Sequence, residues 1–230
     1  DTAGRFPANF EKLAAQSRDA TEAVGLNFNG PFWQLREFMG MENLCVAFLD
    51  EPEFVGEMCR YWKNFVYAIL KKVFAAARVD YIHMSEDMAY KAHPMISPAL
   101  AREFLAPCYV EWAALAREAR CPIVAMDSDG FIDDLIPIWI ESGINVCDPI
   151  EVAAHNDINE FRRKYGKKMA YRGGIDKRCI AAGGSAIEKE IARIAPVAQG
   201  GGYIPGCDHG VPHDISWQNF LYYCKLLAKL

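Results

Sequence analysis

The chain lacks any run of basic residues, and 25 Lys and Arg stand against 30 Asp and Glu, a formal charge of −5 over 230 residues. A nucleic-acid-binding surface needs a concentrated positive patch, so that class of partner is excluded. No apolar stretch reaches the roughly 20 residues that a membrane-spanning helix needs. Lys71-Lys72 interrupts the most apolar segment, and the chain reads as soluble. No signal peptide is seen. None of the eight cysteines (45, 59, 108, 121, 147, 179, 207 and 224) forms a CxxC pair. Scattered thiols of this kind are small buried hydrophobes in a reduced, cytoplasmic protein. Also missing are a GxGxxG after a strand and a GxxxxGK[ST], which removes the nucleotide-binding versions of an open α/β sheet.

What is present is an alternation of short apolar runs and helical patterns. With 52% hydrophobic residues, residues 1–230 can build one substantial core and read as one domain. Strand patterns lie near 24, 81, 123, 144, 169 and 203. Between them the spacing predicts helices over 7–20, 32–39, 43–77 (broken near Asp50-Glu51-Pro52), 99–119, from Ile132, over 157–165, and after Ser185. In that last helix Ser185 and Glu188 form a capping box. Ser216 caps the final helix, Trp217 to Leu227. A strand–helix rhythm implies a parallel sheet with helices outside. A TIM-type (β/α)8 barrel has eight such units in about 250 residues. Six units beginning in mid-pattern at Asp1 predict that barrel with its first two units missing, with an open doubly wound sheet as the rival. The stripe Phe54, Met58, Tyr61, Trp62, Phe65, Ile69, Leu70 and Phe74 recurs at helical spacing and reads as core.

The central stretch is Pro122-Ile123-Val124-Ala125-Met126-Asp127-Ser128-Asp129-Gly130. An apolar run this short reads as a strand buried on both faces, ending in two carboxylates. Barrels place their chemistry at the carboxyl ends of strands. Asp127 and Asp129 are two apart and share a side; either a proton or a cation between them would relieve their repulsion. The bland alternative is that Asp129 or Asp133 caps the next helix. Other polar groups at strand ends are Glu86, Asp87, Asp148, Asp176, Cys207, Asp208 and His209. Asp148-Pro149 and Asp176 suit turns or caps, and Asp208 a loop tie. Glu86, Asp127, Asp129 and Cys207 together offer the oxygens and sulfur that a divalent ion such as zinc accepts. His83, in mid-strand below the tips, reads as structural. His209 is the functional candidate, as partner or proton donor.

The strings Ser85-Glu86-Asp87-Met88-Ala89-Tyr90-Lys91, Met95-Ile96-Ser97-Pro98, Asp127-Ser128-Asp129-Gly130, Gly173-Gly174-Ile175-Asp176-Lys177-Arg178 and Gly202-Tyr203-Ile204-Pro205-Gly206-Cys207-Asp208-His209 resemble the uroporphyrinogen decarboxylase superfamily. The resemblance implies a (β/α)8 barrel with its site at the strand carboxyl ends. It also implies one of two chemistries: cofactor-free porphyrinogen decarboxylation, or zinc-assisted methyl transfer between a small methylated compound or a thiol and a corrinoid carried by a partner protein. In the methyltransferase branch a His-x-Cys and a late Cys hold zinc. Here Asp127-Ser128-Asp129 stands in place of His-x-Cys, while Cys207 keeps the late position. Carboxylates are harder ligands than thiolate, which points toward polarising the oxygen of a methyl-ether-type donor. On this reading Asp127, Asp129 and His209 are catalytic, and Tyr90, Lys91, Arg172 and Asp176 face substrate. Glu86, Asp127, Asp129 and Cys207 hold the metal. The alternatives are the decarboxylase, and a non-catalytic barrel that binds a tetrapyrrole or a protein partner. The only cations expected at the active face are Lys91, Arg172, Lys177 and Arg178.

Overall fold

Six parallel strands lie side by side in chain order: β1 Gly25–Asn29, β2 Tyr81–Ser85, β3 Ile123–Asp127, β4 Val146–Asp148, β5 Ala170–Ile175 and β6 Tyr203–Cys207. The computed structural model describes residues 4–230. A sequential parallel order with a helix after each strand is the TIM-type barrel pattern, here with six of its eight units. No pairing joins β6 back to β1 among the described residues. No helix among them is long and apolar enough to cross a membrane.

Strand parity sorts the side chains. In β2, Ile82 and Met84 are fully buried against the helices, while Tyr81, His83 and Ser85 face the lumen. Register then lines up the tips: Asn29 opposes Ser85, Ser85 opposes Asp127, and Asp127 opposes Asp148. Four polar side chains therefore stand in one row across four strands.

The helices are α1 Phe10–Asp19, α2 Pro31–Met39, α3 Met41–Asp50, α4 Pro52–Ala76, α5 Pro98–Leu100, α6 Ala106–Glu118, α7 Ile136–Glu141, α8 Ile158–Tyr165, α9 Lys177–Ala182, α10 Gly184–Gln199 and α11 Trp217–Leu227. Helix α4 buries Val55, Cys59, Val66, Leu70 and Val73 at helical spacing. The expected stripe is thus rotated: Trp62, Phe65, Ile69 and Phe74 are half-buried and pack against the core edge. The expected helix over 99–119 is divided by a π-helical turn, Ala101–Leu105, in which Ala106 N–H donates to Ala101 C=O. Pro107 lacks an N–H and crowds the preceding turn, which forces the ladder to change register there.

Three local expectations are corrected. The helix expected from Ile132 begins at Ile136, where Pro137 suits a first turn, so neither Asp129 nor Asp133 caps it. Ser185 lies inside α10, whose N-cap is Gly183. Asp148 caps nothing; it is a lumen-facing residue of β4. Asp157, Asp176 and Ser216 do cap, each accepting from a backbone N–H in its helix.

Candidate active site

At the strand carboxyl ends a cup of about 630 Å³ is lined by Trp33, Asp87, Asp127, Asp129, Pro149, Arg172, Gly173, Ile204 to Cys207, His209 and Gly210. A larger cavity of about 1030 Å³ lies between the start of α4 and the π-helical turn. That one sits on the outer helix layer, away from every strand tip. The cup is the better candidate, because barrels gather their reactive groups at the strand carboxyl ends.

Two glycines let the backbone close around the cup. Gly130, at φ +82°, lies so near the Ala89 and Tyr90 carbonyls that any side chain would overlap them. Gly173, at φ +96°, passes under the Pro149 carbonyl in the same way. Both sit in the left-handed region that glycine alone enters freely.

Asp127 ends β3 and faces the lumen. Burial, with the negative charge of Asp148 beside it, raises its carboxyl from 3.8 to about 6, against the pull of His83 and a hydrogen bond from Ser85. Asp129 is raised by burial and by Asp87, while His209 draws it down. Asp87 sits at φ +44°, a conformation that aspartate tolerates better than most residues, and its Oδ1 accepts from Asp129 N–H at 3.1 Å. His209 Nε2 lies 3.0 Å from Asp129 Oδ2, and its Nδ1 accepts from Gly210 N–H at 2.8 Å. With Nδ1 an acceptor, the ring proton sits on Nε2 and is donated to Asp129. Cys207 lies across the cup, its thiol raised by burial.

Beside Asp127 runs a second polar chain. Arg172 Nη2 pairs with Asp148 Oδ2 at 2.6 Å, and His83 Nε2 lies 3.1 Å from Asp148 Oδ1. Asp148 is almost fully buried, and these two partners satisfy its carboxyl oxygens. His83 belongs to this scaffold and does not line the cup.

The remaining candidates lie outside it. Tyr90 and Lys91 border an adjoining groove of about 370 Å³ that shares Asp87 and Asp129 with the cup. Asp176, expected to face substrate, caps α9 and pairs with Arg178 Nη2 at 2.7 Å. Asp208 is fully buried and ties two loops, accepting from Val152 and Lys177 N–H. Glu86, expected as a metal ligand, does not line the cup. Its parity is that of Ile82 and Met84, so it points into the helix layer, 0% exposed. Asp127, Asp129 and Cys207 share the cup, yet among the described residues no three His, Cys, Asp or Glu side chains come together as a metal's ligands would. The donor set therefore does not fit a ready-made zinc site. Trp33 is a cup residue that the sequence reading missed. Its signal was its place in the first turn after β1, at the same end as the acids.

Comparison with known proteins agrees with this fold. The sequence model of the family described as uroporphyrinogen decarboxylase (URO-D) matches residues 12–229. The uroporphyrinogen decarboxylase of Pectobacterium carotovorum is 33% identical over 79 residues, 34% of this chain and 22% of that protein. That of Klebsiella pneumoniae (strain 342) is 32% identical over 94 residues, 40% of this chain and 27% of that protein. The matched stretches thus span about a quarter of these relatives' length. Among solved structures, a methyltransferase from Methanosarcina mazei superposes on the whole chain and 69% of its own length, with a TM-score of 0.70 at 13% identity; at that identity the likeness concerns the fold.

Proposed function

The chain belongs to the uroporphyrinogen decarboxylase family, and from that premise we propose that it is the catalytic barrel of an enzyme moving a methyl group from a small methylated donor, of ether type, to a corrinoid carried by a partner protein. The observation that carries this reading is the charge of the cup: Asp87, Asp127 and Asp129 face one arginine, Arg172, which is itself paired with Asp148. A porphyrinogen is a polycarboxylate. Each of its acid groups brought to about 4 Å from a cup carboxylate would meet a repulsion of order 1–4 kcal/mol. A small neutral ether meets none.

The cup's own groups supply the proton that an ether's departing oxygen needs. As the methyl–oxygen bond breaks, its electron pair goes to oxygen, and the Asp127 carboxyl, about 6, passes its proton to that oxygen. A positioned general acid contributes about 10²–10⁴ in rate. The Asp129–His209 pair, at the wetter rim, returns a proton to Asp127 from solvent. Trp33, Ile204 and Pro205 give the apolar wall against which the methyl-bearing end rests. The corrinoid, when bound, supplies the nucleophile that accepts the methyl group. No step is assigned to zinc, since among the described residues no three donors meet as a metal's ligands would.

Decarboxylation is the second reading, favoured by the curated relatives and by the same stored proton, which would serve to protonate carbon after CO2 leaves. The test is a spectrophotometric assay of cob(I)alamin methylation by aryl methyl ethers, beside a coproporphyrinogen assay with uroporphyrinogen. Methylation that falls at least 100-fold in Asp127→Asn supports the first reading. Porphyrinogen turnover without methylation selects the second.

A further inference from the structure

We propose that Glu86 is a positioning residue for the cup: it clamps the first turn of α2 so that the Trp33 ring forms the cup's wall. The α2 N-terminus has no side-chain cap of its own, since its N-cap is Gly30. Its free N–H groups need an acceptor. Glu86, one residue past β2, provides it from across the layer: Oε2 accepts from Trp33 N–H at 2.8 Å. Oε1 accepts from the hydroxyl of Tyr109, a fully buried residue of α6. The clamp is closed from the third side by Gly30, where even a methyl group would overlap the Glu86 carboxyl. Gly30 N–H in turn donates to Ser85 C=O at 2.8 Å, fixing the α2 entry to the end of β2.

The amide that Glu86 holds belongs to the residue whose ring lines the cup. On the ring itself lies the Arg36 guanidinium, 4.2 Å from its centroid, and Arg36 Nη1 donates to Asp87 C=O at 3.2 Å. Glu86, Trp33, Arg36 and Asp87 therefore form a continuous tie from the helix layer to the acid rim. Burial pushes the Glu86 carboxyl up to about 8, opposed by the Tyr109 hydroxyl, the α2 amides and the Arg36 charge. A carboxyl in a place without solvent, with Trp33 N–H on one oxygen and the Tyr109 hydroxyl on the other, acts through the turn it grips.

What the clamp does for a ligand rests on the cup being the active site, but the clamp itself can be read without a substrate. The full chain carrying 5-fluorotryptophan gives one ¹⁹F resonance for each of its five tryptophans, and Trp33→Phe assigns the relevant one. In Glu86→Leu, which keeps the bulk and removes both acceptor oxygens, the Trp33 resonance is expected to shift and broaden, with its H2O/D2O isotope shift rising toward that of exposed Trp217. Tyr109→Phe should produce a smaller displacement in the same direction. Trp62, Trp139 and Trp217 should stay in place. A Trp33 resonance unmoved in both variants overturns the proposal, as does a uniform movement of all five in Tyr109→Phe. If Glu86→Leu does not fold, Tyr109→Phe decides alone. A selective Trp33 shift in a protein that methylates no acceptor would leave the clamp standing and remove the proposed function.

Discussion

Replacing Asp127 by Asn should make the protein more stable at neutral pH while abolishing turnover. The unfolded chain releases the Asp127 proton near 3.8, whereas the folded protein holds it to about 6. Between those values the native state binds more protons than the unfolded state, so stability falls as pH rises from about 4 to 6 and stays lost above. The shift of roughly 2 units corresponds to a ceiling of about 3 kcal/mol. Partial solvent access and the lost bond from Ser85 reduce the expected gain in the Asn variant to about 1–2 kcal/mol. For a chain of this size that is about 2–8 °C in Tm. Urea unfolding of both proteins at pH 4, 5, 6, 7 and 8 provides the test, because the difference between the two curves cancels the other carboxylates. The variant should gain on the wild type between about pH 4 and 6 and hold the gain above. A variant less stable than the wild type at pH 7, or a difference independent of pH, would refute the electrostatic account of Asp127. Charge kept against its preference is the mark of a residue held for function.

Further outcomes follow from the same geometry. Gly30→Ala, at an ordinary φ of −68°, would gain about 0.4–1 kcal/mol from chain entropy alone; the overlap with Glu86 should instead cost about 2–3 kcal/mol net, measured by urea unfolding. Phe65→Ala, half-buried beside Trp62, should lower stability by about 2 kcal/mol, less than the 3–5 of a fully buried phenylalanine, with cup chemistry unchanged. In steady-state kinetics His209→Gln should lose more turnover than His83→Gln, whereas His83→Gln should lose more stability because Asp148 is left with Arg172 alone; the reverse order would exchange their roles. Cys207→Ala and dialysis against a chelator should each leave the methyl-transfer rate within about twofold, since among the described residues no three donors meet as a metal's ligands would.

The barrel was legible because its signals are local. Short apolar runs ending in acids, separated by amphipathic stretches, dictate parallel strands and outer helices wherever the tertiary contacts fall. The acid rim followed for the same reason: Asp127 shares lumen parity with Ala125, and Asp129 lies just past the strand end. Glu86 was misplaced although its parity was readable. Counting from Ile82 and Met84 puts it on the helix side, but a carboxylate next to Asp87 looked like part of the rim. Its partner Tyr109 is 23 residues away in α6, and no spacing rule announces such a pair. Trp33 was hidden differently, as an aromatic in a short helix whose wall position depends on the Glu86 clamp. The π-helical turn at Ala101–Leu105 was also missed, though Pro107 inside a helical pattern is its local cause.

The central claim is that the cup works by proton donation from Asp127 to a departing oxygen, and one measurement bears on it most directly. The rate of cob(I)alamin methylation by an aryl methyl ether is followed from pH 5 to 9, for the wild type and Asp127→Asn, with and without chelator. The account predicts a wild-type rate that is flat below about pH 6 and falls roughly tenfold per unit above it, as the acid form is lost. It predicts a variant slower by at least 100-fold with that pH dependence gone, and no effect of the chelator. A rate that rises with pH, survives in Asp127→Asn, or disappears on chelation would contradict it.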